Sequence, residues 1–583
     1  MKHFIKNHKW EVPLYFIAAG LPLIIKFHMQ TSGLENQPWF PNKAVWSDFF
    51  LYGKSRCVHL MVLIMGILLI GETVGKKHHK FEKEWFLVLL MGVFQLIAAF
   101  TSVNAERSFL GSIEQFESIG VLLGYLVIGA YAYRCMLKSE DSKILFGMLL
   151  TGTLISCCFG ISQILQMDFW ESEIGKKILI PQTWNALRES LRFNFSVSGW
   201  GQVYLASYNP NYAGIYLLMI LPLAALWDKP KVRWLTLPII ICLVGTFSRT
   251  VIIALIVLIA LGMLLFQHHI FKTKKKCCLL IISMAVLIIC TGIQISKNDA
   301  VRLTGSPKLQ SVSCGEDSVK ITYQQKRLKF SFFQTSNGEK PYVLTYEDGS
   351  KVAMEWDELM GRMIPVEEAL EGLSFKVYEK DNRYYGVFWY QEIPFRFVLN
   401  ETGGYTYVSI NGKEDQLETA KHLWQGNEDF LSGRSYIWSR CLPIIQENPL
   451  FGTGPDTFIE VFPQDDYVMR SNLGYEFFTQ ILTNAHSLYL QMALQTGIPT
   501  MICFVIFVCI YLWKSWNIYY GKSLKTFEGK MGAALMLSVI GYLICGITFS
   551  SSVCTTPVFW ILLGMGMAIN KKVKSYIENS AVF

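Results

Sequence analysis

Mainly apolar runs recur along nearly the whole chain, and most approach the length an α-helix needs to cross a bilayer, about 20 residues. They fall at 12–29, 57–75, 85–103, 117–136, 144–165, 210–227, 234–248, 250–266, 277–295, 497–513, 531–549 and 553–570. In hydrocarbon every backbone polar group must be paired within its own segment, so such runs are read as helices. The expected fold class is an all-α polytopic membrane protein with about 12 transmembrane helices. Composition agrees: the 583 residues are 52% hydrophobic and 17% charged, with a mean hydropathy of +0.31, too apolar for an ordinary soluble domain. The formal net charge of +8 does not imply nucleic acid, because in such a chain the distribution of Lys and Arg sets orientation.

That distribution decides the one ambiguous stretch. Residues 234–266 hold a single charge, Arg249, and are too long for one comfortable crossing and short for two. Basic segments flank it on both sides, DKPKVR (228–233) and QHHIFKTKKK (267–276). One crossing would put them on opposite faces; two crossings leave both inside, with Lys2, Lys6, Lys9 and the other basic loops. Residues 234–248 and 250–266 are therefore expected as a helical hairpin whose tip, GTFSRT, faces outward. At 1.5 Å per residue the first arm spans only about 22 Å, which sets Arg249 near the depth of the outer headgroups. There it either snorkels to lipid phosphate or faces inward as an anion site.

The same topology places both termini in the cytoplasm and residues 296–496 outside. The expected domains are membrane helices 1–9 over 1–295, an extracytoplasmic region over 296–496, and membrane helices 10–12 with a cytoplasmic tail over 497–583. Within the outer region, 310–412 carries period-two alternation and turn signals such as Asp348-Gly349 and Asn411-Gly412, and reads as a small antiparallel β domain. Its aromatics are assigned to core packing before sugar stacking. Residues 430–496 read as a helical loop. A shorter outer segment, 167–208, sets Trp170, Trp184 and Trp200 along the interface. No cleavage site follows the basic MKHFIKNHKW, so 12–29 is read as an anchor. Most of the fourteen cysteines lie in apolar runs and act as small hydrophobes; Cys314 and Cys441, in the polar region, are the one candidate disulfide.

Four outer features carry candidate chemistry. Asn209 and Asn211 open a helix at NPN, either as caps or as ligands. Arg249, with Ser248, sits at FSRT. Arg434 and Trp438 lie four apart on one face of a helix in SGRSYIW, and Phe451–Pro455 form a Gly-rich turn that lacks a P-loop's lysine. Asn484 and His486 precede a helix that leads into the membrane; a histidine there is either a packing residue or a general base. Asp465 and Asp466 read as a solvated loop, and no metal site is expected. Two arginines and a histidine on one membrane face are what transfer from a lipid pyrophosphate requires: cations for the leaving group and a base for the attacking hydroxyl.

In order, YNPNYAG, GTFSRT, GR-x-x-x-W with NPLFGTGPDTF, and AHSLYLQMALQTGIP resemble the O-antigen ligase and O-antigen polymerase superfamily; NAERSFLGSIEQFESIGVLLGY (104–125) is similar to the family's outer loop and next helix. The resemblance implies a glycosyltransferase of the bacterial cytoplasmic membrane, acting on its outer face without a cofactor. Its implied donor is an undecaprenyl-pyrophosphate-linked glycan, its acceptor a glycan, a lipid or the cell wall, and its surroundings membrane lipids. It assigns Arg249 and Arg434 to the donor pyrophosphate and His486 to the base of an inverting, metal-independent attack, with Ser248, Asn209, Asn211, Trp438 and Asn484 in support. The family often has asparagine where Ser487 stands here, and its outer loop usually lacks a β insert. Two rivals remain at this stage. A lipid-linked sugar flippase or transporter should carry polar residues through the midplane. A membrane sensor would use the β insert as a ligand-binding module.

Overall fold

The computed structural model describes residues 10–43, 45–74, 82–193, 201–267, 307–333, 342–400, 403–522 and 524–581. The expected run at 277–295 and Trp200 lie outside the described residues. Each of the other eleven expected runs contains helix. A mixed α, π and 3-10 segment covers Val12–Leu23. It is followed by α1 (Tyr52–Val74), α2 (Trp85–Phe100), α3 (Ala105–Leu110), α4 (Ile119–Lys138), α5 (Lys143–Ile164), α6 (Pro210–Ala225), α7 (Thr236–Gly245) and α8 (Arg249–Leu265). After the β region come α9 (Arg434–Glu447), α10 (Tyr467–Asn472), α11 (Leu488–Thr496), α12 (Ile498–Tyr519), α13 (Phe527–Cys545) and α14 (Thr556–Ala581). Five of the described helices, α1, α4, α5, α12 and α13, are long and apolar enough to cross a membrane.

The helices alternate in direction. α1, α4, α6, α8, α12 and α14 begin, and α2, α5, α7 and α13 finish, at one end of the bundle, where their loops bond to one another. Helix α14 is buried against α4 where Gly129 faces Gly564. A Cβ on Gly564 would stand 2.2 Å from the Gly129 carbonyl oxygen, and one on Gly129 would stand 2.7 Å from the Trp560 ring, so both positions need glycine for this approach. Helices α7 and α8 are separate, as the basic loops require, but they part rather than pair. Helix α7 packs between α5 and α6, whereas α8 lies on α13, because each buries its own apolar face against a different neighbour.

Two sheets form the β region. Strands β3 (Leu309–Cys314), β4 (Val319–Tyr323), β5 (Lys326–Phe332) and β6 (Tyr342–Tyr346) make an antiparallel four-stranded meander; an N-terminal hairpin, His28–Thr31 with Val45–Asp48, supplies β1 and β2. Strands β7 (Met354–Asp357), β8 (Arg362–Pro365), β9 (Leu373–Lys380), β10 (Arg383–Tyr390), β11 (Ile393–Leu399), β12 (Tyr405–Val408) and β13 (Glu414–Asp415) make a seven-stranded one. One shared core joins Phe330 and Phe332 of the first sheet to Phe375, Phe388, Phe395, Phe397 and Tyr407 of the second. The aromatic-rich stretch thus packs inward, as period-two burial dictates.

The sandwich is tied to the bundle end at two places. Lys413 Nζ donates to the carbonyls of Gln37 and Phe40 at 3.0 and 3.2 Å, and Asn472 bonds the backbone of Leu309 through both ends of its amide. Several expectations are corrected here. Cys314 and Cys441 are both free: the first is exposed on β3, the second buried in α9, so they share no environment in which to pair. Trp170 is buried rather than interfacial, packed on Phe159 and Phe169, whereas Trp184 is 46% exposed. Asp466 is not a solvated residue: it is buried and accepts from Arg440 Nε at 3.2 Å and from Tyr436 Oη at 3.0 Å. Arg440 is its counter-charge, and burial still raises the Asp466 pKa above the usual carboxylate value.

Candidate functional site

The short connection between α13 and α14, Thr548–Ser551, is where segments bearing the candidate residues converge. Arg434 Nε donates to the Thr548 carbonyl at 3.0 Å, and the guanidinium lies 5.0 Å from the centre of the Phe549 ring. Thr250, beside Arg249, shares a 3.0 Å hydrogen bond between its hydroxyl and that of Thr548. Ser550 Oγ donates to Asn484 Oδ1 at 3.1 Å. Ser551 Oγ donates to Glu117 at 2.5 Å. Four segments far apart in the chain therefore meet on one turn at one end of the bundle.

Arg249 and Arg434 have matching positions: each is the first residue of its helix, α8 and α9. An arginine there opposes the positive end of the helix dipole, at a cost of about 0.3–1 kcal/mol, and an anion reverses the sign of that term. Ser248 precedes α8 but does not cap it, and its buried hydroxyl has no hydrogen-bond partner among the described residues. Arg249 is half-buried. Arg434 is half-buried too, not the solvated charge its helix position suggests, and burial pulls its pKa below the usual arginine value.

His486 is held from several sides. Its backbone N–H donates to Asn484 Oδ1 at 2.9 Å. The preceding residue, Ala485, accepts from Trp438 Nε1 at 3.1 Å and donates to Gln491 Oε1 at 2.7 Å. The next, Ser487, caps α11. This clamp holds His486 at a φ of 46°, a left-handed conformation that costs a non-glycine residue about 1–3 kcal/mol. Burial, and then the charge of Arg434, pull the imidazole down to about 3. It is therefore neutral at pH 7, and the same shift makes it a weak base until an anion offsets the Arg434 charge.

Asn209 is a cap. Its Oδ1 accepts from both the backbone and the side-chain nitrogen of Asn211 at 2.9 Å. The next residue, Tyr212, reaches the site, with its ring 6.2 Å from that of Phe549. The Gly-rich turn also has a structural task. Thr453 N and Gly454 N donate to the carbonyls of Leu494 and Gln495 at 2.8 and 3.0 Å, docking the turn on the end of α11. Gly452 has φ +68°, and a Cβ there would stand 2.5 Å from the Leu494 oxygen. Asp456 follows, buried and accepting from the backbone of Ser112 and Glu117 at 2.5 and 3.1 Å; burial pushes it up to about 8.

Sequence reasoning missed Thr548–Ser551, Tyr212, Glu117 and Gln491. The signal for the first was the Ser/Thr-rich TFSSSVCTT (548–556) between two apolar runs. Glu117 lies among the polar residues of SIEQFES (112–118) and Gln491 is a single polar residue in an apolar run, and neither pattern singles out a site residue.

Among known proteins, residues 385–505 match the family model described as O-antigen ligase. No curated protein and no solved structure matches the chain. The matched stretch runs from β10 into α12 and contains Arg434, Trp438, Asn484 and His486; Arg249, Ser248, Asn209 and Asn211 lie outside it. It supports the O-antigen ligase and polymerase superfamily and O-antigen ligase-like or polymerase-like function in general, and the apolar helices agree with a multi-pass membrane protein.

Proposed function

From that domain and the convergence at Thr548–Ser551, we propose that the protein is a glycosyltransferase that transfers or polymerises a glycan carried on undecaprenyl pyrophosphate. The reaction runs at the outer face of the bacterial cytoplasmic membrane, with residues 296–496 outside and both termini within the cytoplasm. Arg249 and Arg434 hold the donor pyrophosphate at two helix N-termini. An acceptor hydroxyl of a glycan, lipid or cell-wall component attacks the anomeric carbon. The new C–O bond forms as the bond to the pyrophosphate oxygen breaks, inverting the centre. The electron pair leaves with the undecaprenyl pyrophosphate, which the two cations stabilise. The hydroxyl proton passes to neutral His486. Trp438 and Asn484 hold the histidine loop, Ser248 lies beside Arg249, and Asn209 and Asn211 set the start of α6 beside the site.

The supporting observation is the single turn that joins the Arg434 guanidinium, the FSRT tip and the Asn484–His486 loop. The test is purified full-length protein given a lipid-linked oligosaccharide and an acceptor. His486→Ala should lower turnover by a factor of about 10²–10⁴, the usual contribution of a general base, with donor binding kept. Undiminished turnover refutes the assignment. Glycans from a deletion strain separate the two activities: single lipid-linked repeats mark a lost polymerase, long unattached chains a lost ligase.

A further inference from the structure

Below the convergence point lies a cleft between α2, α4, α11, α12 and the α13–α14 pair. Its cavity volume is about 40 Å³, within about 520 Å³ of space that includes open solvent at its mouth, and its apolar sides include Met91, Leu126, Phe504 and Trp560. Three carboxamides, Gln95, Gln491 and Gln495, line it with Thr496, Tyr542, Thr556, Tyr125 and Ser551, the last two already donating to Glu117 behind the wall, and no Asp, Glu, Lys, Arg or His lines it. Gln95 is the one polar side chain in α2, WFLVLLMGVFQLIAAF, and is only 4% exposed. Its Oε1 has no hydrogen-bond partner among the described residues. A buried amide left this way is costly, and an apolar residue would serve better if the position only packed.

Charge and depth limit what fits. A phosphate would find no cation here and would bear its full desolvation cost. An isoprenoid or other pure hydrocarbon would leave the amides unpaired. Gln95 lies about 7 Å below the end of α2 at 1.5 Å per residue. That is the depth of the ester and hydroxyl groups that join acyl chains to a headgroup if the helix end lies at the membrane surface. We infer that this cleft is a lipid site for the uncharged, hydrogen-bonding neck of a diacylglycerol-anchored lipid, distinct from the donor's polyprenyl tail. Gln491 also holds Ala485 beside His486, and Ser551 belongs to the convergence turn, so a lipid here touches the supports of the candidate base. The site does not depend on the proposed transfer reaction.

Binding to the full-length protein in detergent, read by native mass spectrometry, tests this without any activity measurement. The probes are dioleoylglycerol, its 3-acetyl ester, which lacks the hydroxyl, and squalene. Wild type should retain dioleoylglycerol best and squalene least. Gln95→Leu should weaken dioleoylglycerol about tenfold, the scale of one lost hydrogen bond with its partner left unmet, and improve squalene. Met91→Phe, which narrows the cleft without touching the amides, should weaken both lipids. Equal retention of squalene and dioleoylglycerol by wild type, or a ratio unmoved by Gln95→Leu, would overturn the assignment and leave a plain hydrocarbon groove. Retention of the hydroxyl-free ester equal to that of dioleoylglycerol would overturn it as well, because the unpaired Gln95 Oε1 accepts and only the hydroxyl can donate to it.

Discussion

The pH dependence of transfer tests the candidate base directly. An ordinary histidine has a pKa near 6.5, so about 3% of it is neutral at pH 5 and a reaction that needs it as base falls about 30-fold. Burial and Arg434 instead pull His486 down to about 3. The sign is that of a base whose charged form is disfavoured: the neutral, reactive form persists as pH falls. The acid limb of kcat/KM for the donor should therefore lie well below 6.5, with less than about a twofold loss between pH 7.5 and pH 5. Arg434→Gln removes the like charge but not the burial, so its limb should move up toward 6.5 without reaching it, whatever the drop in absolute rate. Bound pyrophosphate opposes the arginine charge, so the limb in kcat should lie above that in kcat/KM. The assay is full-length protein in nanodiscs with limiting lipid-linked donor, and product measured by mass spectrometry from pH 4.5 to 8. A wild-type limb at 6.5 that Arg434→Gln leaves in place would refute both the burial and the arginine coupling.

The clamp on His486 makes Ser550→Ala and Trp438→Phe a matched pair. Each removes one hydrogen bond, about 1 kcal/mol, and should lower kcat roughly fivefold with donor KM unchanged in steady-state kinetics. Gly452→Ala places a Cβ against the Leu494 backbone in a left-handed conformation. It should cost about 1–3 kcal/mol and free the Gly-rich turn from α11, read as faster limited proteolysis near residue 452. Arg440→Met leaves buried Asp466 and Glu428 without their cation. It should destabilise the helical region by about 3–5 kcal/mol, measured as a lower Tm in detergent.

Much of the architecture is legible in sequence because hydropathy and periodicity are local. A run of apolar residues dictates a helix wherever it lies, and alternation over SVKITYQ and RLKFSFF dictates strands. The basic loops around 234–266 were enough to divide that stretch into two helices. Candidate residues at segment ends were visible for the same reason: Arg249, Arg434 and His486 each interrupt or border a regular pattern. The rest depends on contacts between distant segments. Whether Asn209 is a cap or a ligand turned on which atom reaches its oxygen. Asp466 looked solvated until Arg440 was found beside it. Nothing in TFSSS states that it will hold Arg434 from 114 residues away and Asn484 from 66. A single hydrogen bond from a serine or threonine leaves no periodic trace, so only the packed chain decides which hydroxyl meets which helix end. The chain's own pattern set out membrane helices, a β insert and three charged or titratable residues at one end. Tertiary structure decided that the segments bearing them meet, because the turn that joins those segments is defined by its partners and not by its neighbours.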